Sequence, residues 1–218
     1  MADVDLQLRE GSPEDFPALS RIDGSASTEW VLHVARSGEP DEQTIELKWR
    51  RVKQAGSHRG IDADDSVAEF ETEWKRSDRL VIAEVDGGAA GCLMLGENWN
   101  KTAELTLILV DAAHRRQGIG ERFVQEAEGY ARDRGLRALQ WEIQNDNRDA
   151  IEFALAQGFR IAGFHDALYR NDDLDQQEAA DFRGIAVFLT MAIVGITKGG
   201  SRTALTGLQT ENMRGRCR

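Results

Sequence analysis

The sequence predicts an α/β fold in which strands and helices alternate along a single domain. Short segments with alternating apolar residues recur along the chain, and segments with apolar residues three and four positions apart lie between them. A length of 218 residues and a hydrophobic content of 41% suit one domain with a substantial core. We expect residues 1–196 to form this domain and residues 197–218, rich in Gly, Ser, Thr and Arg, to form a flexible tail.

The N-terminal part of the chain predicts a strand, a helix start and a hairpin. Residues 4–9 alternate in polarity, and Ser12 precedes a proline and two acidic residues, as is typical of a capped helix start. The strands expected at residues 79–85 and 89–95 flank an Asp-Gly-Gly turn, which indicates a hairpin.

The middle of the chain predicts a strand over residues 104–110, then a glycine loop and a helix that starts near Glu121 and stops at Gly135. The alternation of the strand gives it two faces, one with Leu105, Leu107 and Leu109 and the other with Ile108 and Val110.

The loop from His114 to Gly120 predicts a site for a phosphate. Gly118 and Gly120 can adopt backbone angles closed to other residues, and they let a ligand approach the main chain. The helix start leaves N–H groups unpaired, with partial positive charge. A Walker loop is excluded because no Lys-Ser or Lys-Thr follows Gly120, and the mid-chain position argues against a dinucleotide fingerprint. Three arginines add positive charge here: Arg115, Arg116 and Arg122.

The second half of the chain predicts a further strand, helix and strand. Residues 139–144 alternate, Asn147 starts a helix, and Gly158 ends it. Residues 185–196 are the longest apolar stretch and indicate a buried strand, and residues 170–183 before it indicate a loop with a short helix.

These segments resemble a known family. Arg115, Gly118 and Gly120 fill the pattern [Arg/Gln]-x-x-Gly-x-[Gly/Ala] of the acetyl-CoA pyrophosphate loop in the GNAT superfamily of N-acetyltransferases. The resemblance covers residues 4–193, with residues 24–78 matching only loosely. It implies a mixed, mostly antiparallel central sheet with helices on both faces and a splayed strand pair that holds acetyl-CoA as cosubstrate. A second GNAT motif follows in the expected order: Asn147, Ala150, Phe153, Gly158 and Phe159.

Residues 142–147 and 163–169 are similar to the streptothricin acetyltransferase branch, whose members acetylate an amine of a cationic antibiotic. The chain departs from that branch in two places. Thr106 and Leu107 stand where the branch carries an acidic pair, and Ala154 stands where a tyrosine is common.

The resemblance implies which residues contact acetyl-CoA. A main-chain N–H of Leu109 or Val110 is expected to polarise the thioester carbonyl. Asn147 either bonds the pantetheine arm or only caps its helix. The full set is Leu109, Val110, Arg115, Arg116, Gln117, Gly118, Ile119, Gly120, Glu121, Asn147 and Phe153.

Acetyl transfer also needs a base for the amine and an acid for the departing thiolate. Glu104 and Glu142 are the candidate bases, and a base acting through water is a third alternative. If Glu104 is not the base, it is a surface acid at a strand end. If Glu142 is not the base, it belongs to an internal polar network. Because Ala154 cannot donate a proton, Tyr169 is the candidate acid, unless it is a core tyrosine.

Composition limits the partners. A formal net charge of −11 argues against broad binding of nucleic acid and favours a cationic acceptor. Two cysteines are too few for a disulfide framework, the histidines lack the spacing of a metal site, and no apolar run is long enough to span a bilayer. We expect a cytoplasmic enzyme with no membrane contact and leave a homodimer open. A cluster of acidic residues precedes the hairpin, and it either forms a solvated helix face or attracts the cationic acceptor. Its members are Asp62, Asp64, Asp65, Glu69, Glu71 and Glu73.

Three functions fit these patterns. The first is an acetyl-CoA-dependent N-acetyltransferase for a primary amine of a small cationic molecule, such as a streptothricin-like antibiotic. The second is an N-acetyltransferase for proteins or peptides, with a groove built by residues 24–78. The third is a non-catalytic acyl-CoA-binding module, which Ala154 would favour.

Overall fold

A seven-stranded sheet forms the centre of the fold, and a long two-stranded hairpin stands beside it. The computed structural model describes residues 5–58, 66–165, 168 and 185–193. The strands are β1 Leu6–Glu10, β2 Ala26–Glu39, β3 Glu42–His58, β4 Arg79–Val85, β5 Gly88–Glu97, β6 Thr102–Val110, β7 Ala138–Gln144, β8 Arg160–His165 and β9 Ala186–Ala192. The α-helices are α1 Phe16–Leu19, α2 Ser66–Trp74, α3 Ile119–Asp133 and α4 Arg148–Ala156.

The main sheet runs β1-β4-β5-β6-β7-β9-β8, and its neighbouring strands are antiparallel except for the parallel pair β6–β7. Side chains of α3 and α4 pack in the core on one face, and those of α1 and α2 pack on the other. The expected mixed sheet with helices on both faces is therefore confirmed.

Local signals place most of these elements. The turn between β4 and β5 has positive φ angles at Asp86 and Gly87, as the Asp-Gly-Gly sequence predicts. Asp15 accepts a hydrogen bond from the Ser12 N–H at 2.9 Å, within the short 3-10 turn that leads into α1. α3 starts at Ile119 rather than near Glu121, so the glycine loop is shorter than expected, and it stops before Gly135 at φ +66°.

A bulge interrupts β6 at Thr106. Leu105 pairs with Leu95 of β5 and Leu107 pairs with Met94, so Thr106 has no partner of its own in the register. An extra residue of this kind bends the strand and resets the alternation of its side chains.

The bulge overturns the predicted faces of this strand. Leu105 packs in the same cluster as Ile108 and Val110, whereas Leu107 and Leu109 pack on the opposite side of the sheet. The prediction that Leu105 shares a face with Leu107 and Leu109 is wrong, because the alternation of residue types does not reveal an inserted residue.

β6 and β7 separate beyond the bulge. Their parallel pairing covers only Thr102 to Leu105 against Ala138 to Trp141, among the residues that the structure describes. Residues 106–110 and 142–144 then diverge, while β7 stays paired along its other edge with β9. The expected splayed strand pair is present at the carboxyl end of β6.

The segment that sequence analysis left without elements contains the long hairpin. We call residues 26–58, which form β2 and β3, the arm. Its two strands pair with each other from Ala26↔His58 to Glu39↔Glu42, with an irregularity between Thr28 and Trp30. The predicted tail at 197–218 and the loop at 170–183 lie outside the described residues.

Candidate functional site

The splay between β6 and β7 opens a cleft of about 1910 Å³. The outer half of β6, the end of β7, the loop before α3 and one side of α4 line it, and α2 closes another side. Leu168 also contributes to the lining. Ten of the eleven predicted acetyl-CoA contacts lie here: Leu109, Val110, Arg115, Arg116, Gly118, Ile119, Gly120, Glu121, Asn147 and Phe153.

Gln117 is the exception among the predicted contacts. It lies on the exposed side of the loop, and its Nε2 donates to the Ala113 carbonyl at 3.3 Å. Arg122 also differs from expectation, because its Nη1 donates to the Leu6 carbonyl at 3.1 Å and the residue does not line the cleft. The positive charge of the loop therefore comes from Arg115 and Arg116.

The loop is held at its base by Asp111. The carboxylate of Asp111 accepts hydrogen bonds from the Ala113 N–H at 2.8 Å and from the Asp23 N–H at 3.1 Å. Arg115 folds back so that its Nε donates to the Val110 carbonyl at 3.2 Å. These contacts hold the first half of the loop against the end of β6 and against Asp23.

The two glycines of the motif meet different constraints. Gly118 caps α3 with φ +86°, and Arg116, two residues earlier, has φ +65°, so this turn needs left-handed backbone. Gly120 is ordinary helix, contrary to the prediction of unusual backbone angles. A Cβ atom at Gly120 would lie 2.9 Å from Cζ of Phe153, so its small size makes room for that ring.

The first turn of α3 therefore presents its free N–H groups to the cleft beside two arginines. This combination of partial positive charge and guanidinium groups suits a pyrophosphate. The residues present fit the phosphate end of acetyl-CoA.

The direction of the main-chain N–H groups in β6 distinguishes Leu109 from Val110 as the donor to the thioester. The Asp111 N–H donates to the Ala90 carbonyl of β5 at 2.9 Å. Because main-chain groups alternate sides along an antiparallel strand, the N–H of Leu109 also points at β5. The N–H of Val110 then points at the opposite edge, which faces the cleft.

The other end of the cleft is acidic. Glu104 and Glu142 both line it, each half-buried. Glu104 lies opposite Gly96 and Gln140 in the paired part of the sheet. Glu142 comes directly after Trp141, the last residue of β7 that pairs with β6, and so lies in the splay itself.

Arg76 stands among these carboxylates, and sequence analysis missed it. Its Nη2 donates to Oε2 of Glu73 at 2.7 Å. The hydrogen bond to Glu73 raises the pKa of Arg76 above its ordinary value, burial opposes this, and the charges of Glu73, Glu104 and Glu142 add to it. The available signal was the helical spacing of Glu69, Glu73 and Arg76, all of which line the cleft.

The acidic cluster at residues 62–73 is only partly placed at the cleft. Glu69 and Glu73 line the cleft and Glu71 does not, whereas Asp62, Asp64 and Asp65 lie outside the described residues. Within the described ranges, no three His, Cys, Asp or Glu side chains converge as a metal-ligand set.

Tyrosine hydroxyls are absent from the described part of the cleft lining. Tyr169 lies outside the described residues, although Leu168 before it lines the cleft. Tyr130 packs away from the cleft, and burial together with its hydrogen bond to Asp78 raises its pKa to about 12. Ala154 is fully buried in the core.

Two side chains fix the α4 side of the cleft. Asn147 caps α4, with its Oδ1 accepting from the Ala150 N–H at 3.2 Å, and it also lines the cleft. The ring of Phe153 packs edge-on against Trp141 at 6.3 Å between centroids. The capping role of Asn147 is thus present in the structure, whatever else it contacts.

Comparison with known proteins agrees with this geometry. The chain is 29% identical to a streptothricin acetyltransferase of Streptomyces lavendulae over 79% of this chain and 91% of that protein. The crystal structure of a nourseothricin acetyltransferase superposes with a TM-score of 0.68 at 27% identity, covering 86% of this chain and 98% of that one.

A second solved structure shows the same fold. It is that of a putative streptothricin acetyltransferase from Bacillus anthracis in complex with acetyl coenzyme A, with a TM-score of 0.67 at 24% identity. It covers 86% of this chain and 99% of that one. None of the helices among residues 5–58, 66–165, 168 and 185–193 is long and apolar enough to cross a membrane.

The model of the acetyltransferase (GNAT) family matches residues 45–159, which are more than half of the chain. That range includes the bulged strand, the glycine loop and the helix capped by Asn147. Enzymes of this family are acyltransferases that use acetyl-CoA. The chain belongs to the GNAT family of acetyltransferases.

Proposed function

We propose that this protein transfers the acetyl group of acetyl-CoA to a primary amine of a small cationic molecule, such as a streptothricin-like antibiotic. One observation carries the proposal: a single cleft joins a cationic glycine loop at one end to the carboxylates Glu104 and Glu142 at the other. The first end suits a pyrophosphate, and the second suits an ammonium group.

Acetyl-CoA supplies an activated thioester, and the residues of this chain hold and polarise it. Arg115, Arg116 and the first turn of α3 bind the pyrophosphate in this proposal. The N–H of Val110 points into the splay, where it donates to the thioester carbonyl oxygen as negative charge develops there.

The acceptor must lose a proton before it can attack. We assign Glu142 as the base, because it lies where β7 leaves β6 and therefore next to the gap that receives the thioester. Glu104 lies one step further back in the paired sheet, and we assign it to binding the cation. Tyr169 is the proposed proton donor to the departing thiolate.

The proposal is tested by measuring free CoA release from acetyl-CoA with a panel of acceptors. The panel holds a streptothricin-type antibiotic, lysine-like diamines, neutral amines and peptides with free N-termini. We expect turnover of the cationic small molecules, with KM rising as salt is added because salt screens the attraction to the carboxylates.

Each other result has a definite meaning. Turnover of peptides alone supports the peptide acetyltransferase, and turnover of neutral amines alone removes the role of the acidic end. Tight binding of acetyl-CoA with no turnover of any amine in the panel favours a binding module.

A further inference from the structure

Arg76 is a cation built into the acidic end of the cleft. Its guanidinium donates to Glu73 at 2.7 Å, and Arg76 lines the same cleft as Glu104 and Glu142. The side chain of Arg76 is 54% exposed, so it is held by charge rather than by close packing.

The backbone of Arg76 is fixed even though its side chain is exposed. The Arg76 carbonyl lies directly over Gly96 of β5, where a Cβ atom would clash with it. Next to it, the Ser77 and Thr106 hydroxyls share a hydrogen bond of 2.7 Å, which connects this segment to the bulge of β6. The guanidinium therefore leaves or enters the acidic end by side-chain rotation alone.

Four carboxylates line the cleft that Arg76 also lines: Glu69, Glu73, Glu104 and Glu142. No three of the described acidic side chains are close enough together to form a metal-ligand set. Such a spread suits an extended organic cation better than a metal ion.

We propose that Arg76 occupies, before the acceptor binds, the place taken by the acceptor's cationic group, and so selects for acceptors with a second positive charge. The inference rests on the transfer to a cationic amine proposed above. The attacking amine becomes neutral when Glu142 takes its proton, so it cannot keep the place of a guanidinium by charge during the transfer. An acceptor with a further ammonium group can, and Arg76 thereby excludes monoamines.

The test compares pentanediamine with pentylamine, which differ by one amino group on the same carbon chain. In Arg76→Ala we expect KM for pentylamine to fall about fivefold, the scale of one exposed ion pair. KM for pentanediamine should fall less, so the ratio of the two KM values should move closer to one. Arg76→Lys keeps the cation and should retain the preference.

Lys75→Ala is the matched control, because Lys75 is the exposed neighbour, carries the same charge and does not line the cleft. Its KM values should stay within about twofold of wild type, since a solvent-exposed charge is well screened. Thermal unfolding of each variant confirms that the fold is retained.

A binding measurement separates this inference from the proposed function. Calorimetry with methylguanidinium should detect binding to Arg76→Ala and none to wild type. If wild type acetylates no amine of the panel described above, pentanediamine included, but Arg76→Ala binds methylguanidinium, the proposed function fails and the placement of Arg76 stands. If both amines react and Arg76→Ala shows unchanged or higher KM for pentylamine, the inference on Arg76 is overturned.

Discussion

Asn145 fastens the arm to the main sheet through Leu32. The Leu32 N–H donates to the Asn145 main-chain carbonyl at 2.8 Å, and the Asn145 side-chain Nδ2 donates to the Leu32 carbonyl at 3.2 Å. On its other side Asn145 Oδ1 accepts from the Ile185 N–H at 3.2 Å, at the entrance to β9. Asn145 has no solvent exposure, so one buried amide joins three segments that are far apart in the sequence.

Replacing Asn145 should destabilise the protein strongly. In Asn145→Ala the Leu32 carbonyl and the Ile185 N–H lose a buried partner, and we expect a loss of about 2–4 kcal/mol in the free energy of unfolding. Denaturant unfolding measures it. The exposed Gln7→Ala serves as the control, with an expected change below about 0.5 kcal/mol. A similar small change in Asn145→Ala would mean that water replaces the amide.

Arg115 and Arg122 should differ in their effect on CoA binding. Arg115 lines the cleft, so Arg115→Ala should weaken CoA binding by about 1.5–3 kcal/mol, the scale of a charged hydrogen bond. Arg122 donates to Leu6 instead, and Arg122→Ala should leave the CoA dissociation constant nearly unchanged. Calorimetry on both variants decides this, and equal losses would contradict the geometry.

Gly120 should be constrained by Phe153. Gly120→Ala places a methyl group against that ring, at a strain of about 1–3 kcal/mol, and CoA affinity should fall as the ring shifts in the cleft. The double variant Gly120→Ala, Phe153→Leu should therefore recover CoA affinity. Gly120→Ala should lower that affinity much less in the Phe153→Leu background than it does in wild type.

Gly129→Ala is the control for Gly120, because a Cβ atom there meets nothing within 4 Å. It should stabilise α3 by up to about 1 kcal/mol without altering CoA affinity. If the double variant recovers nothing, the pyrophosphate itself approaches the Gly120 main chain, as the motif alone suggests.

The two carboxylates should separate kinetically. Glu142→Gln, which removes the proposed base, should lower kcat by about 10²–10⁴-fold. Glu104→Gln should mainly raise KM for the cationic amine, because the amide keeps the shape but not the charge. Steady-state rates on one accepted amine test this, and the reverse pattern would move the base to Glu104.

Tyr169 should affect the chemical step alone. Tyr169→Phe should lower kcat by about 10²-fold or more if its hydroxyl protonates the thiolate, while CoA binding persists. Tyr130→Phe is the control, since the Tyr130 hydroxyl bonds Asp78 outside the cleft, and its kcat should not change. A near-normal kcat in Tyr169→Phe would mean that solvent supplies the proton or that another step limits the rate.

Much of the cationic end of the cleft could be predicted, because the residues that shape it are close together in the sequence. The left-handed turn at Gly118, the cap by Asn147 and the end of α3 at Gly135 depend on residues within a few positions of one another. Glycine conformation and helix capping are set by short-range sterics and hydrogen bonds, which the order of residues expresses directly.

The acidic end of the cleft could be predicted only in part. Glu104 and Glu142 were identified by their strands, but nothing in their neighbourhood indicated Arg76, which reaches them from the end of α2. The helical spacing of Glu69, Glu73 and Arg76 indicates that these three side chains share one side, but not that they meet Glu104 and Glu142 across the cleft.

The sequence by itself determined the glycine loop, the family and, outside residues 24–78, the order of strands and helices, because alternation, capping and glycine turns are local properties. Only the tertiary structure decided the bulge at Thr106, the place where β6 leaves β7, and the position of the arm. Those features depend on strand register and on buried hydrogen bonds such as that from Asn145 to Leu32. Register is fixed by pairing across the sheet, so no single strand carries it in its own residues.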